Sequence, residues 1–328
     1  MSSLCGLFQR KGRGIFAAVF SVLCLAASAA GFDESKTFRL QLFLDREGFS
    51  SNAADGQWGR RSQRAFEAWC RREGVKALST PEQNFDAYFA DRPELLKVVE
   101  VTAADLASLV TIPKDPAEKA KLAAMGYPNA LEMFAERGHI TAVALKRLNP
   151  GVDWQNVCAG LRIVVPDFPS IDEHLGGRQG RKASAKAPVA AQIRVSLSDF
   201  EIRVYDRASR MIALFPCSIA KDKAKRPPSG ELKIVTQIAN PNYTYTPDRP
   251  NRKGKFQRQV LPPGPRCPVG VAWLGLNLAG YGIHGTPYPE TIGRAESHGC
   301  FRLSNWNVAR LYSMVSAGTR VIVENSEN

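Results

Sequence analysis

Beyond residue 30 the 328-residue chain has no apolar stretch long enough to cross a bilayer, which takes about 20 residues. It contains no CxxC and no HExxH pair, so the common zinc-ligand spacings are missing. No RNA- or DNA-binding motif is present, nor any fixed-period repeat or long low-complexity tract. What remains is a globular composition, 44% apolar and 23% charged, with room for about two or three domains.

The first fourteen residues lack acidic groups and carry Arg10, Lys11 and Arg13. The apolar run "IFAAVFSVLCLAASA" follows and ends at an A-x-A-like site, Ala27-Ser28-Ala29. This is the layout of a secretory signal peptide over 1–30, with an uncleaved anchor as the alternative. Leu23 before Cys24 does not suit lipidation. Export to the periplasm or cell envelope changes the meaning of the net charge of +13. In that compartment an anionic wall polymer or membrane surface is the expected partner, and nucleic acid is not. Removing Cys5 and Cys24 with the signal leaves Cys70, Cys158, Cys217, Cys267 and Cys300, an odd set in which at least one thiol stays free within a monomer. A Cys217–Cys267 bond is expected in an oxidising compartment, tethering the long loop that ends at Pro268.

Residues 169–191, "PSIDEHLGGRQGRKASAKAPVAA", are rich in small and basic residues and read as a flexible basic linker. A mostly helical half precedes it and a strand-rich half follows. In the first half, "FRLQLFLDREGF" places Leu40, Phe43 and Leu44 on one helical face, and "RRSQRAFEAWCRREGV" places Ala65, Phe66 and Trp69 on another. Asp55-Gly56 and Gly59 punctuate the turn between them. The helix, the D-G-x-W-G turn and "SQRAFEAW" together resemble a small peptidoglycan-binding domain of the three-helix type, over 33–78. Residues 79–129, broken by Pro93, Pro113, Pro116 and Pro128, read as a helical connector. In 130–168 a helix stopped by Asn149-Pro150-Gly151 is followed by "LRIVVP". That segment resembles the second half of a LysM glycan-binding module, whose first strand is not evident.

In the second half, "IRVSLSDFEIRVYD" alternates as a strand pair closed near Ser198-Asp199. "MIALFPCSIA", "GELKIVTQIA" and "TRVIVEN" continue the pattern, and "SNWNVARLYSMV" is the one good helix. The fold class is therefore multidomain: a mostly α N-terminal half and a β-rich, β-sandwich-like domain over 192–325 with one packed helix. The insertion from Asn240 to Pro268 has neither periodicity and suits a lid.

Two short segments carry the chemistry, "YGIHGT" and "SHGCFRL". A thiol becomes a nucleophile when a base or cation favours its thiolate, so His284 and Cys300 form a candidate dyad if the intervening loop folds back. Gly285 and Gly299 remove side-chain bulk beside it, and the His298, Gly299 and Cys300 amides can face a developing oxyanion. Zinc held by His284, His298 and Cys300 would need an unusual ligand spacing, and a purely structural cysteine remains the alternative.

Taken together, "PPSGELKI", "PPGPRCPVG", "YGIHGT", "IGRAESHGCFRLSNWNVARLY" and "GTRVIV" resemble the catalytic domain of L,D-transpeptidases of the YkuD type, over roughly 191–325. The resemblance implies Cys300 as nucleophile and His284 as general base. Ser297, His298 and Gly299 would shape the dyad and oxyanion hole, and Arg302 would bind a substrate carboxylate or form a structural ion pair. Cys267 stands where relatives commonly have Asn. The implied substrates are peptidoglycan stem peptides and glycan, with a second stem peptide, an envelope lipoprotein or a D-amino acid as acceptor. Carbapenems are the implied inhibitors. No metal or organic cofactor is implied, since a thiolate, a base and oriented amides suffice.

Overall fold

A computed structural model describes residues 36–77, 94–176, 189–247, 250, 257–297 and 299–325. The expected signal peptide, 1–30, lies outside the described residues. So do 177–188 of the expected linker and most of the basic tip of the 240–268 insertion.

The N-terminal half opens with helices α1 (Lys36–Glu47) and α2 (Arg60–Glu73). The apolar face expected for α1 is too narrow: Phe38, Leu40, Leu42, Phe43 and Leu44 are buried, and so are Gln41 and Asp45. Gln41 explains part of this, because its carboxamide pins the Asp-Gly turn. Its Oε1 accepts from the Asp55 and Gly56 amides at 3.1 and 2.8 Å, and its Nε2 donates to Asp55 Oδ1 at 3.0 Å. On α2, Ala65, Phe66 and Trp69 are buried as the periodicity predicts.

Strand β1 (Leu96–Glu100) is followed by four short helices, α3 (Ala103–Ala107), α4 (Pro116–Lys119), α5 (Ala130–Arg137) and α6 (Ala142–Leu148). Strand β2 (Arg162–Pro166) returns to pair antiparallel with β1, Leu96 facing Pro166 and Glu100 facing Arg162. The stretch expected as a helical connector therefore contains a strand. Its short, charged sequence "LKVVE" carries little alternation, and its partner lies more than sixty residues on, which is why periodicity alone did not find it. A one-turn helix, α7 (Ile171–His174), follows.

The C-terminal half is built on β3 (Gln192–Ser196), β4 (Glu201–Tyr205), β5 (Met211–Pro216), β6 (Ile219–Ala220), β7 (Gly230–Ala239), β8 (Tyr243–Tyr245), β9 (Gln259–Leu261), β10 (Ala272–Leu276), β11 (Gly282–His284), β12 (Ala295–Ser297), β13 (Phe301–Arg302) and β14 (Arg320–Glu324). One helix, α8 (Asn305–Met314), packs on them. Eight strands form one sheet in the order β13-β11-β10-β7-β14-β3-β4-β5. The pairings β11–β13 and β14–β3 are parallel, and the others in this sheet are antiparallel. Alternation drives the first hairpin: Ile193 faces Val204 and Val195 faces Ile202, all four fully buried. Val308, Ala309, Leu311 and Met314 of α8 close the core over this sheet.

The two halves share a large polar and aromatic contact. Arg64 grips Glu201 with two hydrogen bonds of 2.8 Å and Asp199 with a third of 2.8 Å. Arg310 of α8 donates to the Asp45 and Arg46 carbonyls at the end of α1 at 2.6 and 3.0 Å. His139 lies between the rings of Phe168 and Trp306, with centroids 4.1 and 5.3 Å away. At β5, Phe49 adds a parallel bridge to Leu214.

Cys217 and Cys267 are free, contrary to the expected disulfide. Cys217 belongs to the main core of the sheet, whereas Cys267 packs with Met125 and Val269 in a separate small cluster. Each is wholly buried among apolar neighbours, and burial pushes both thiols up.

Candidate active site

The register of two short parallel strands assembles the site. Ile283 on β11 faces Phe301 on β13, and both side chains are fully buried in the core. Because successive residues of a strand point to opposite faces, His284 and Arg302 turn away from that core, and so does Cys300, one residue before Phe301. His284 faces Arg302 in the register, which leaves Cys300 diagonal to His284 on the same side of the sheet. Both residues border one cavity of about 610 Å³, together with Ser297, Gly299 and Arg302.

The Ser297 hydroxyl closes the turn that presents the cysteine: it donates to the Cys300 carbonyl at 2.6 Å and accepts from the Gly299 amide at 3.4 Å. His298, between them, lies outside the described residues. The half-buried Cys300 thiol donates to the Gly280 carbonyl at 3.5 Å. Burial pushes this thiol up, and a backbone hydrogen bond from Gly282 works against that shift.

His284 is buried, and burial pushes its imidazole down to about 4; the Gly285 hydrogen bond opposes that shift and the nearby Arg302 guanidinium adds to it. A carbonyl can only accept, so the 2.6 Å contact between His284 Nδ1 and the Gly285 oxygen fixes the proton on Nδ1. At neutral pH the pair is therefore a thiol and a neutral imidazole whose Nε2 carries a free lone pair. Trp273, opposite His284 on β10, stacks on the ring at 5.5 Å between centroids and 19° between planes.

Gly285 has a structural duty that the motif did not disclose. A Cβ there would lie 2.3 Å from Asn305 Oδ1, and one on Gly270, whose φ is +62°, would lie 2.1 Å from the same atom. Asn305, at the start of α8, is thus wedged against the backbone that holds His284. Its Oδ1 accepts from the Val271 amide at 3.2 Å, and its Nδ2 donates to the Pro265 carbonyl and to Glu136 Oε1, each at 3.0 Å. Glu136 belongs to the other half of the chain. Arg302 borders the cavity with Nε and Nη2 buried and without a hydrogen-bond partner; Nη2 lies 3.7 Å from a Glu296 carboxylate oxygen.

Trp273, Asn305 and Glu136 were not singled out in the sequence, nor were Lys119 and Met125, which also border the cavity. Glu136 sits in the helix "ALEMFAER" beside Glu132 and Arg137, so nothing in the sequence marks it as the buried carboxyl.

Against known proteins, the profile of the YkuD family, the L,D-transpeptidase catalytic domain, matches residues 190–323. The L,D-transpeptidase YkuD of Bacillus licheniformis is 32% identical over 193 residues, covering 59% of this chain and 92% of that protein. The chain belongs to the YkuD family of L,D-transpeptidases. The YkuD protein of Bacillus subtilis is 28% identical over 198 residues, 60% of this chain and 93% of its own. Among solved structures, the catalytic domain of an Enterococcus faecium L,D-transpeptidase acylated by ertapenem aligns with 42% of this chain and 98% of its own, at 20% identity and a TM-score of 0.31. The family match takes in β3 to β13 and α8, and with them His284 and Cys300. Lys119, Met125 and Glu136 lie before it.

Proposed function

We propose that this L,D-transpeptidase is an exported enzyme that uses Cys300 to acylate itself on peptidoglycan tetrapeptide stems and passes the acyl group to an amine. The observation that carries the reading is the pairing of β11 with β13, which puts a half-buried thiol and a neutral, tautomer-fixed imidazole on the same wall of one cavity.

His284 Nε2 takes the Cys300 proton as the sulphur attacks the carbonyl between the third residue of the stem, an L centre, and the terminal D-Ala. The oxyanion that forms is met by the amides of Gly299 and Cys300. The Gly299 N–H makes only a long 3.4 Å contact with Ser297 and can turn to a stronger acceptor. Collapse breaks the C–N bond, and D-Ala leaves with the proton from His284, leaving a thioester. An amine then attacks the thioester, gives its proton to His284 and regenerates the thiol. A thioester favours amines over water, so the main product is a 3→3 crosslinked stem, with an envelope lipoprotein or a D-amino acid as other acceptors. Carbapenems fit the same chemistry as acylating inhibitors.

Incubating purified tetrapeptide monomer with the protein and resolving the products by mass tests this. Released D-Ala with a crosslinked dimer is expected. Tripeptide alone, without dimer or D-amino-acid exchange, would show a carboxypeptidase.

A further inference from the structure

Among the described residues, three cations border the cavity that holds Cys300, namely Lys119, Arg266 and Arg302, and no carboxylate does. Their states differ. Arg266 is committed to the wall: it pairs with Glu132 at 3.0 Å, donates to the Pro287 carbonyl at 2.8 Å and lies over the Tyr288 ring at 5.0 Å. Arg302 has Glu296 within 3.7 Å. Lys119 has no carboxylate partner among the described residues, while its neighbour Lys121 pairs with Glu118 at 2.7 Å.

Lys119 comes from outside the family match, and its position is fixed by backbone. Asp115 caps the short helix α4 through the Ala117 amide at 2.6 Å, with Pro116 in its first turn. A few residues on, Met125 donates to the Pro263 carbonyl at 2.8 Å and accepts from the Arg266 amide at 2.9 Å. Gly264 permits this approach: with φ at +139°, any Cβ would fall 2.4 Å from the Met125 oxygen. The segment carrying Lys119 and Met125 is therefore a built wall of the cavity, apolar at Met125 and cationic at Lys119.

We propose that Lys119 is a specificity-determining residue that binds a carboxylate of the stem peptide while the scissile carbonyl lies at Cys300. This rests on the function proposed above. An ammonium beside a cavity whose described lining holds no anion attracts a carboxylate and disfavours an amidated or cationic group at that position. The N-terminal half thereby takes part in choosing the substrate.

The test measures release of the terminal residue by the full chain, as D-Ala or D-alaninamide, from three donors: the free-acid tetrapeptide, its C-terminal amide, and the peptide amidated at its other free carboxylates. Lys119→Gln is expected to raise KM roughly tenfold on the free acid, the size of one charge-assisted hydrogen bond, with kcat little changed. One of the two amides should show the raised KM already with the wild type and no further effect of the substitution, which identifies the carboxylate. Lys119→Arg should restore most of the affinity. A KM unchanged on every donor, or raised equally on all three, overturns the inference while leaving the transpeptidase intact. Wild-type protein that releases the terminal residue from none of them overturns the parent function, and the inference with it.

Discussion

Glu136 Oε1 accepts a hydrogen bond from Asn305 Nδ2 at 3.0 Å, so a carboxyl of the N-terminal half holds the side chain wedged beside the backbone of His284. Tyr127 donates to the same oxygen at 2.7 Å. Glu136→Leu should remove both acceptor contacts and lower kcat about 10- to 100-fold with little change in KM, since a small displacement of a positioned base is costly. Glu136→Gln keeps an acceptor oxygen and should retain most of the rate. Steady-state kinetics of the two variants, with melting curves as control, separate positioning from simple loss of fold.

The same carboxyl gives a pH signature. Burial pushes Glu136 up to about 7, with the Tyr127 and Asn305 hydrogen bonds opposing. The folded state therefore binds a proton that the unfolded chain releases at ordinary carboxylate pH. The resulting stability is fully present below about 4.5 and is lost as pH rises through about 7. Glu136→Gln should flatten this part of a melting-temperature profile between pH 4.5 and 7.5.

For the proposed Cys300–His284 dyad, the relevant group is an imidazole already neutral at physiological pH. Because His284 is pushed down to about 4, the acid limb of Cys300 acylation by a carbapenem should fall near pH 4, well below the usual imidazole range. Intact-mass kinetics from pH 3.5 to 8 would show it. His284→Ala should slow acylation about 10²- to 10⁴-fold across the plateau. A limb near 6.5 would mean that the imidazole is not desolvated during the reaction.

Gly285→Ala forces a methyl group against Asn305 Oδ1 and should cost both stability and activity. Pairing it with Asn305→Ser, which shortens the obstructing side chain, should recover part of the melting temperature. Two independent losses that simply add would refute the steric account.

Much of the catalytic half was legible from sequence. The β3–β4 alternation, the "GELKIVTQIA" strand and the α8 helix carry strong local periodicity, and they form the core as expected. Strands β11, β12 and β13 have two or three residues each and are held by register, not propensity; only the motif pointed to them. Asn305, Glu136 and Lys119 were not visible, because each acts through a contact with a distant part of the chain, and an isolated Asn, Glu or Lys in a sequence is ordinary. The Cys217–Cys267 bond was wrongly expected because it rested on compartment and loop position, while packing places the two thiols in different cores.

Strand β5 ends the eight-stranded sheet, and the N-terminal half shields part of it: the Leu214 amide donates to the Gly48 carbonyl and the Ser50 amide donates to the Leu214 carbonyl, each at 2.9 Å. Cutting that half away to study the catalytic domain alone would strip the cover and leave an adhesive margin of unpaired amides and carbonyls. Two trimmed molecules could then zip together along it. A dimer found in such a preparation would be a product of the scissors.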